Sequence, residues 1–216
     1  EDKKLEITVN SGVHNPKYSS PYWLNEKGSV GMYAAPEALI GLPETPVLEQ
    51  LTFELQFGNA TIPFTKDIIY KFNDPVKGEV YRPLEVLPEV TASIPEKVLI
   101  FANDEAETVS VIVRAGKDSI SGTISLQHPE GWQVAPSQQT FQLDRNGETK
   151  TFTFTVTPPR SQSEGFLKPI VNAEGKIFDR ELATINYEHI PYQSVLLPSE
   201  AKVAKIDIQK KGQNIG

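Results

Sequence analysis

Short runs of alternating apolar and polar residues recur along this chain, and no long segment repeats apolar residues at helical spacing. The clearest run covers residues 51–57, where leucine and phenylalanine alternate with threonine, glutamate and glutamine. The same alternation marks residues 5–9, 109–113 and 152–156. Because successive side chains of a strand point to opposite faces, such runs are typical of strands that bury one face. The pattern predicts an all-β protein.

Turn-forming residues lie between these runs. The strongest turn signal is Asn146-Gly147, because both residues tolerate the positive φ that tight hairpins require. This turn is expected to join a strand at Phe141 and Leu143 to one that begins near Thr149. The 17 prolines support the same fold class, since proline cannot donate a hydrogen bond to a sheet and favours strand ends and loops.

Three prolines, at positions 83, 88 and 95, indicate where the chain divides. They bracket residues 84–94, which we interpret as the last strand of one unit leading into a linker. We therefore predict two tandem immunoglobulin-like or fibronectin-like β-sandwich domains, at residues 1–95 and 96–198. Strand candidates after the boundary recur about every 8–12 residues, as in antiparallel sandwiches. They centre on Ile100, Val111, Ile124, Phe141, Phe154, Ile170 and Ile185.

The end of the chain, residues 199–216, is predicted to be the remnant of a following domain. A brief apolar pattern runs through it, but lysines crowd that pattern. Unpaired strand edges and exposed apolar residues are unstable alone. We therefore expect that deletion of residues 201–216 changes the thermal midpoint of the remaining chain little.

Residues 12–46 form an unusual stretch that is long and punctuated by proline. Loops of this length are uncommon in compact domains unless they serve a purpose. Aromatic rings on loops stack against sugars or hold a neighbouring domain, so the rings of this stretch are the candidate binding residues. The alternative is that the loop folds back and buries the rings as a lid over the sandwich. The aromatic candidates are Tyr18, Tyr22, Trp23 and Tyr33.

Composition and charge narrow the classes of partner. The chain is 38% hydrophobic and 23% charged, which is typical of folded soluble chains. A net charge of -7 gives no attraction to phosphate backbones, so nucleic acid is not an expected partner. No apolar run is long enough for a membrane span. The absence of cysteine excludes disulfides, thiolate metal ligands and a cysteine nucleophile.

No catalytic residue, metal site or cofactor site is predicted. The histidines at positions 14, 128 and 189 are far apart and lack paired metal-ligand spacing. No Gly-x-Ser-x-Gly elbow supplies a serine nucleophile. His128-Pro129-Glu130 is expected to form a structural turn, and Trp132 is expected to lie in the core.

Two weaker features leave alternatives open. Residues 78–83 are either a binding loop or a strand edge, with Arg82 paired to a carboxylate at the junction between the two units. Acidic pairs such as Asp104-Glu105 are expected to be solvated, because carboxylates without a supporting pocket usually lie in loops or at strand edges.

Several motifs resemble known families. Residues 15–24 (NPKYSSPYWL), 40–44 (IGLPE) and 74–83 (DPVKGEVYRP) resemble the long region that follows the deacetylase domain in large bacterial PIG-L (LmbE-like) proteins. Residues 185–191 match that region as well. Residues 129–159, through the Pro-Glu-Gly-Trp sequence and the later Phe-Thr-Val-Thr-Pro-Pro sequence, are similar to the sandwich domain that accompanies some α-galactosidases.

The PIG-L resemblance implies a non-catalytic accessory module, because the catalytic domain itself is missing. The family's zinc site requires a His-Pro-Asp-Asp sequence, and His128-Pro129-Glu130 lacks the paired aspartates. The parent protein is then expected to be a zinc-dependent deacetylase of N-acetylglucosamine-type substrates in the periplasm or outside the cell. Other domains of the same polypeptide are the expected partners, and the tail resembles the opening strand of a further α/β domain. The alternative function is a carbohydrate-binding module that uses the aromatic loop at residues 18–33.

Overall fold

The computed structural model describes residues 18–47, 49–190 and 192–207. Strands dominate this part of the chain, and its helices are two single 3₁₀ turns, η1 (Tyr22–Leu24) and η2 (Glu37–Leu39). The predicted all-β class is therefore confirmed. Each of the seven strand centres predicted after residue 95 lies inside a strand. The alternating run at residues 5–9 lies outside the described residues.

The strands follow one another closely along the chain. In order they are β1 (Glu26–Ser29), β2 (Met32–Ala34), β3 (Gln50–Phe57), β4 (Ala60–Asp67), β5 (Ile69–Asp74), β6 (Gly78–Pro83), β7 (Val90–Ser93), β8 (Val98–Phe101), β9 (Glu107–Ala115), β10 (Ile120–Gln127), β11 (Gln133–Ala135), β12 (Gln138–Leu143), β13 (Thr149–Thr157), β14 (Ser163–Ala173), β15 (Lys176–Phe178), β16 (Arg180–Ile185), β17 (Gln193–Pro198) and β18 (Ala201–Lys205).

The chain divides into two compact units. Among the described residues, the first unit contains 18–19 and 47–86, and the second contains 20–46 and everything from residue 87 onward. The long stretch before residue 47 is thus split between the two units. The predicted boundary between residues 95 and 96 differs from the observed boundary between residues 86 and 87. The pairing of β7, described below, explains the difference.

The described part of the first unit consists of two antiparallel hairpins, β3–β4 and β5–β6, each a two-stranded sheet. Phe53 pairs with Phe64 across β3–β4, and Gly58 supplies a positive φ of 58° in its short turn. In the second hairpin, the Asp74 carboxylate accepts hydrogen bonds from the amides of Val76 and Lys77. In the described part of the first unit, these two-stranded sheets are present where two facing sheets of a sandwich were predicted.

The second unit contains a β-sandwich made of two sheets. One sheet has the strand order β12-β10-β14-β18-β8, with β15 paired to β14, and the other has the order β11-β13-β9-β7. Strand β18 runs parallel to β8 and antiparallel to β14. The hairpin β16–β17 forms a further two-stranded sheet, and β16 packs against β7.

The core lies between the two sheets and follows the alternation of the sequence. Val109, Val111 and Val113 of β9 are fully buried, while the residues between them are partly exposed. A strand that alternates in this way buries one face and leaves the other in water. The facing sheet contributes buried side chains from β10, β14 and β18, namely Ile120, Ile124, Leu126, Leu167, Val171, Ala173, Ala201 and Val203.

Strand β7 corrects the predicted domain boundary. Residues 84–94 were expected to end the first unit, but β7 pairs with β9 of the sandwich. Val90 and Ile94 are fully buried in the sandwich core. The second unit therefore begins before β7, because burial of these apolar side chains requires β9 and the facing sheet.

Strand β18 corrects the prediction for residues 199–216. Instead of a remnant of another domain, β18 is an inner strand of the larger sheet, paired on one side with β14 and on the other with β8. Ala201 and Val203 point into the core and are fully buried. Two sets of ladder hydrogen bonds and two core side chains make this segment part of the sandwich.

Lys205 explains how a lysine-rich segment can occupy this position. Its side chain is only 2% exposed, and its ammonium lies 2.5 Å from Asp207 and 3.4 Å from Asp104. The hydrogen bond to Asp207, followed by the contact with Asp104, raises the pKa of Lys205 above its usual value of 10.5. The charged form of Lys205 therefore stabilises the fold at neutral pH, and this contribution is lost as the pH rises through the folded-state pKa. Asp104 is solvated as predicted, with 62% of its side chain exposed, and is also a partner of this lysine.

The Asn146-Gly147 turn lies where it was predicted, but the two strands that it joins do not pair with each other. Gly147 has a φ of 81°, and the turn joins β12 to β13 as expected. These two strands belong to opposite sheets, since β12 pairs with β10 and β13 pairs with β9. The turn therefore carries the chain across the sandwich and does not close a hairpin.

Ion pairs join the start of the second unit to two turns of the sandwich. The Glu89 carboxylate, just before β7, accepts a hydrogen bond of 2.7 Å from Lys176 and lies 3.2 Å from Lys117. Lys117 also contacts Glu174 at 2.7 Å. The hydrogen bond from Lys176 lowers the pKa of Glu89 below its usual value of 4.5. Burial of the carboxylate opposes this shift, and Lys117 adds to it.

Replacing Glu89 with glutamine is expected to lower the thermal midpoint at pH 7 and to have no effect in strong acid. A carboxyl group with a lowered pKa stabilises the fold above its unfolded-state pKa, and the contribution is lost as pH falls through the folded-state value. Thermal unfolding of the wild type and Glu89→Gln under both conditions measures the difference. Glu96→Gln, at an exposed glutamate, is the control. An equal loss at both pH values would contradict the expectation.

Candidate functional site

The four aromatic candidates are divided between the two units. Tyr18 belongs to the first unit, where it is 47% exposed, and Tyr22, Trp23 and Tyr33 belong to the second. Within the second unit, Trp23 lies on η1 and Tyr33 on β2, and η1 packs against the β1–β2 hairpin. The predicted set thus separates into one residue in the first unit and three that share a small substructure.

Tyr22 has the buried position that the lid interpretation predicted for all four rings. It is 7% exposed, its hydroxyl donates a hydrogen bond of 3.0 Å to the carbonyl of Leu42, and its amide donates to Thr45 Oγ1 at 3.1 Å. Its ring contacts the Trp23 ring edge to face, with centroids 4.9 Å apart. Tyr22 therefore fixes residues 42–45 next to η1, and its ring packs against the ring of Trp23.

Trp23 and Tyr33 line an open groove between η1 and the β1–β2 hairpin. The groove has a volume of about 500 Å³ and is open to solvent along one side. Tyr33 is 71% exposed and Trp23 is half-buried. The remaining lining residues are Leu24, Glu26, Gly28, Ser29, Gly31 and Met32.

Two glycines allow the hairpin that forms one wall of this groove. Gly31 has a φ of 80°, which places it in the left-handed region that a tight turn requires. At Gly28 a Cβ atom would lie 2.3 Å from the Met32 carbonyl oxygen, so only glycine permits the close approach of the two strands. The register of the hairpin shifts between Glu26 and Ser29, at the same place.

The sequence interpretation missed Glu26 and Met32, which line the groove beside the aromatic rings. Met32 is 72% exposed. The signal that was available was the spacing of Gly28 and Gly31, which is typical of a tight hairpin. Recognising that hairpin would have placed its flanking residues on one surface.

The segment around Trp132 is structural, as predicted. Gly131 has a φ of 83°, and the Trp132 amide donates a hydrogen bond to the carbonyl of Pro129, so His128-Pro129-Glu130 leads into a turn. Trp132 is 2% exposed and contacts Phe101 edge to face, with centroids 4.9 Å apart. Its indole belongs to the core and is inaccessible to a ligand.

The histidines and acidic residues are dispersed. His128 is exposed, with Nδ1 3.0 Å from the carbonyl oxygen of Pro129, and His189 stacks on Tyr187. His14 lies outside the described residues. Within the described ranges, no three side chains of His, Cys, Asp or Glu come together in a group that could hold a metal ion.

Residues 78–83, one of the two weaker candidates, form strand β6 of a hairpin and not a loop. Glu79 lies 2.6 Å from the Lys71 ammonium and accepts a hydrogen bond of 2.6 Å from the Tyr81 hydroxyl. The Lys71 ammonium also lies 5.4 Å from the centre of the Tyr81 ring. The hydrogen bond from Lys71 lowers the pKa of Glu79, and the same bond raises the pKa of Lys71.

These features define an all-β protein with a β-sandwich and a separate aromatic groove. No protein-family model matches the chain, and no curated protein matches it. Among solved structures it is similar to a family 123 glycoside hydrolase from Clostridium perfringens, studied for glycolipid glycan hydrolysis. That alignment has a TM-score of 0.29 and 5% identity, and covers 56% of this chain and 28% of the other. At this level the similarity carries no information about function. In the part of the chain that the structure describes, no helix is long and apolar enough to span a membrane.

Proposed function

We propose that this chain is a non-catalytic accessory module that positions the catalytic domain of a larger PIG-L-like deacetylase. The observation that best supports this function is the place of β18 inside the sandwich. Because β18 is paired on both sides and the Ile206 amide also donates to the carbonyl of Phe101, the backbone is held by the sandwich as far as Ile206. A rigid connection is what a module that positions a neighbouring domain requires.

Ion pairs near the first and last strands of the sandwich support the same function. Glu89, just before β7, is held by Lys176 and Lys117, and Lys205, at the end of β18, is held by Asp104 and Asp207. Other domains of the same polypeptide are then the partners of the module. A periplasmic or secreted location belongs to this proposal through the sequence resemblance.

The purified chain is expected to release no acetate from N-acetylglucosamine derivatives. It is also expected to retain no stoichiometric zinc after metal-free purification and reloading, because the proposal assigns the zinc ligands to a separate catalytic domain. An active PIG-L deacetylase assayed in parallel is the positive control. Stoichiometric zinc together with activity above the blank would overturn the accessory function.

A carbohydrate-binding module is the second candidate, and the groove of Trp23 and Tyr33 favours it. Aromatic faces stack on the apolar faces of sugar rings, and both rings line a groove of suitable volume. Because the chain has two tryptophans and Trp132 is buried, a change of tryptophan fluorescence on ligand addition would report Trp23. Trp23→Ala is expected to abolish that change together with binding of a neutral oligosaccharide.

A further inference from the structure

The charge of the groove indicates which class of sugar, cationic, neutral or anionic, it would bind. Of its lining residues in the described part of the chain, Glu26 is the one that carries a charge. The aromatic faces of Trp23 and Tyr33 also present negative electrostatic potential, because the π-system of a ring has a negative face. A carboxylate and two rings in one groove favour a cationic ligand over a neutral one and disfavour an anion.

A second place in the same chain shows how such groups hold an ammonium. On the β5–β6 hairpin, the Lys71 ammonium lies 2.6 Å from the Glu79 carboxylate and 5.4 Å from the centre of the Tyr81 ring. A carboxylate and an aromatic face thus hold one ammonium between them. The described lining of the groove supplies the same two kinds of group, Glu26 and the rings, without a lysine of its own.

The size and shape of the groove fit a sugar better than a small amine. Its volume of about 500 Å³ exceeds what a simple alkylammonium group fills, and its open form leaves room for neighbouring units of a chain. A ring with an apolar face can stack on Trp23 while an amino substituent lies toward Glu26. The thioether of Met32 adds a polarisable apolar contact.

We infer that the groove between η1 and the β1–β2 hairpin binds amino sugars, with the sugar ring stacked on Trp23 and its ammonium beside Glu26. This inference rests on the carbohydrate-binding candidate and adds the chemical class of the ligand. Electrostatic attraction at an exposed site together with cation–π contact is expected to favour the amino sugar over its N-acetylated form by roughly tenfold.

The test compares three oligosaccharides of equal length on the full chain: a glucosamine oligomer, its N-acetylated form and a uronic acid oligomer. Binding is measured by tryptophan fluorescence and calorimetry at about pH 6 and low salt, where free carboxylates are ionised. The glucosamine oligomer is expected to bind roughly tenfold more tightly than the N-acetylated oligomer, and the uronic acid oligomer more weakly than both. Trp23→Ala is expected to abolish binding of all three.

The variants separate a specific contact from the attraction of an acidic protein for any cation. The net charge of -7 attracts cationic oligomers everywhere, so Glu26→Gln and Glu37→Gln, which remove the same charge, are compared. Glu37 lies on η2 and outside the groove. Glu26→Gln is expected to reduce glucosamine binding to the level of the N-acetylated oligomer, and Glu37→Gln to leave it unchanged.

The outcomes distinguish the inference from the function on which it rests. Equal binding of the neutral and amino oligomers, lost in Trp23→Ala and unaffected by Glu26→Gln, would overturn the inference and leave the carbohydrate-binding candidate intact. Equal effects of Glu26→Gln and Glu37→Gln would also overturn it, because the preference would then come from net charge. No binding of any oligomer, or binding that survives Trp23→Ala, would overturn both.

Discussion

A chain that stops after Glu200 is expected to lose the folded β-sandwich. Without β18, strands β14 and β8 lose their shared partner, and the buried side chains of Ala201 and Val203 leave the core. A domain of this size is stabilised by about 5–15 kcal/mol, and removal of an inner strand is expected to cost at least the lower end of that range. Near-ultraviolet circular dichroism and thermal unfolding measure the loss.

Point substitutions in β18 refine this test. Val203→Asp places an unpaired carboxylate in the core, which is expected to destabilise the sandwich by more than about 3 kcal/mol. The adjacent Lys202 points to solvent, where it lies 3.0 Å from Glu164. Lys202→Gln should cost less than about 1 kcal/mol, because it removes an exposed ion pair. An unchanged midpoint in the truncated chain would restore the interpretation of residues 199–216 as part of another domain.

Trp132→Ala is expected to lower the free energy of unfolding of the sandwich by about 3–5 kcal/mol. The substitution leaves a cavity beside Phe101 and removes the hydrogen bond of 3.1 Å that the indole nitrogen donates to Ser163. Trp132→Phe keeps most of the apolar volume and should cost less, on the order of 1–2 kcal/mol. Urea unfolding followed by circular dichroism compares the variants.

Trp23→Ala is the matched control for this prediction, since it removes the other tryptophan. Trp23 lies on η1, away from the buried cluster that contains Trp132, so its replacement is expected to destabilise the sandwich much less. A Trp132→Ala variant that is as stable as Trp23→Ala would show that the indole of Trp132 contributes little to the core.

Some of the fold was predictable because its determinants are local. In β9 and β13, every second residue is branched or aromatic and the residues between them are mostly polar, so the sequence alone indicates strands and their buried faces. Gly147 and Gly58 mark turns for the same reason, since their positive φ values are a property of one residue. The burial of Trp132 also followed from its place after a glycine turn.

The candidate site was predictable in part. The aromatic content of residues 18–33 indicated a candidate binding segment, but nothing in the sequence distinguishes Tyr22, which is buried, from Tyr33, which is exposed. Tyr22 is buried because residues 42–45 fold back onto it, where Leu42 and Thr45 accept hydrogen bonds from its hydroxyl and amide. Glu26 became a candidate only when the hairpin placed it in the groove that Trp23 lines.

The sequence by itself determined that this protein is all-β, where most strands of the sandwich lie and which of their faces are apolar, because these properties depend on residues two positions apart. The tertiary structure decided which strands share a sheet. Strand β7 joins β9, the Asn146-Gly147 turn crosses between sheets, and β18 lies between β14 and β8. The last strand could not be recognised as a core strand from the sequence, because Lys205 occupies a buried position. A buried lysine is stable only where carboxylates from other parts of the chain, such as that of Asp104, lie beside it.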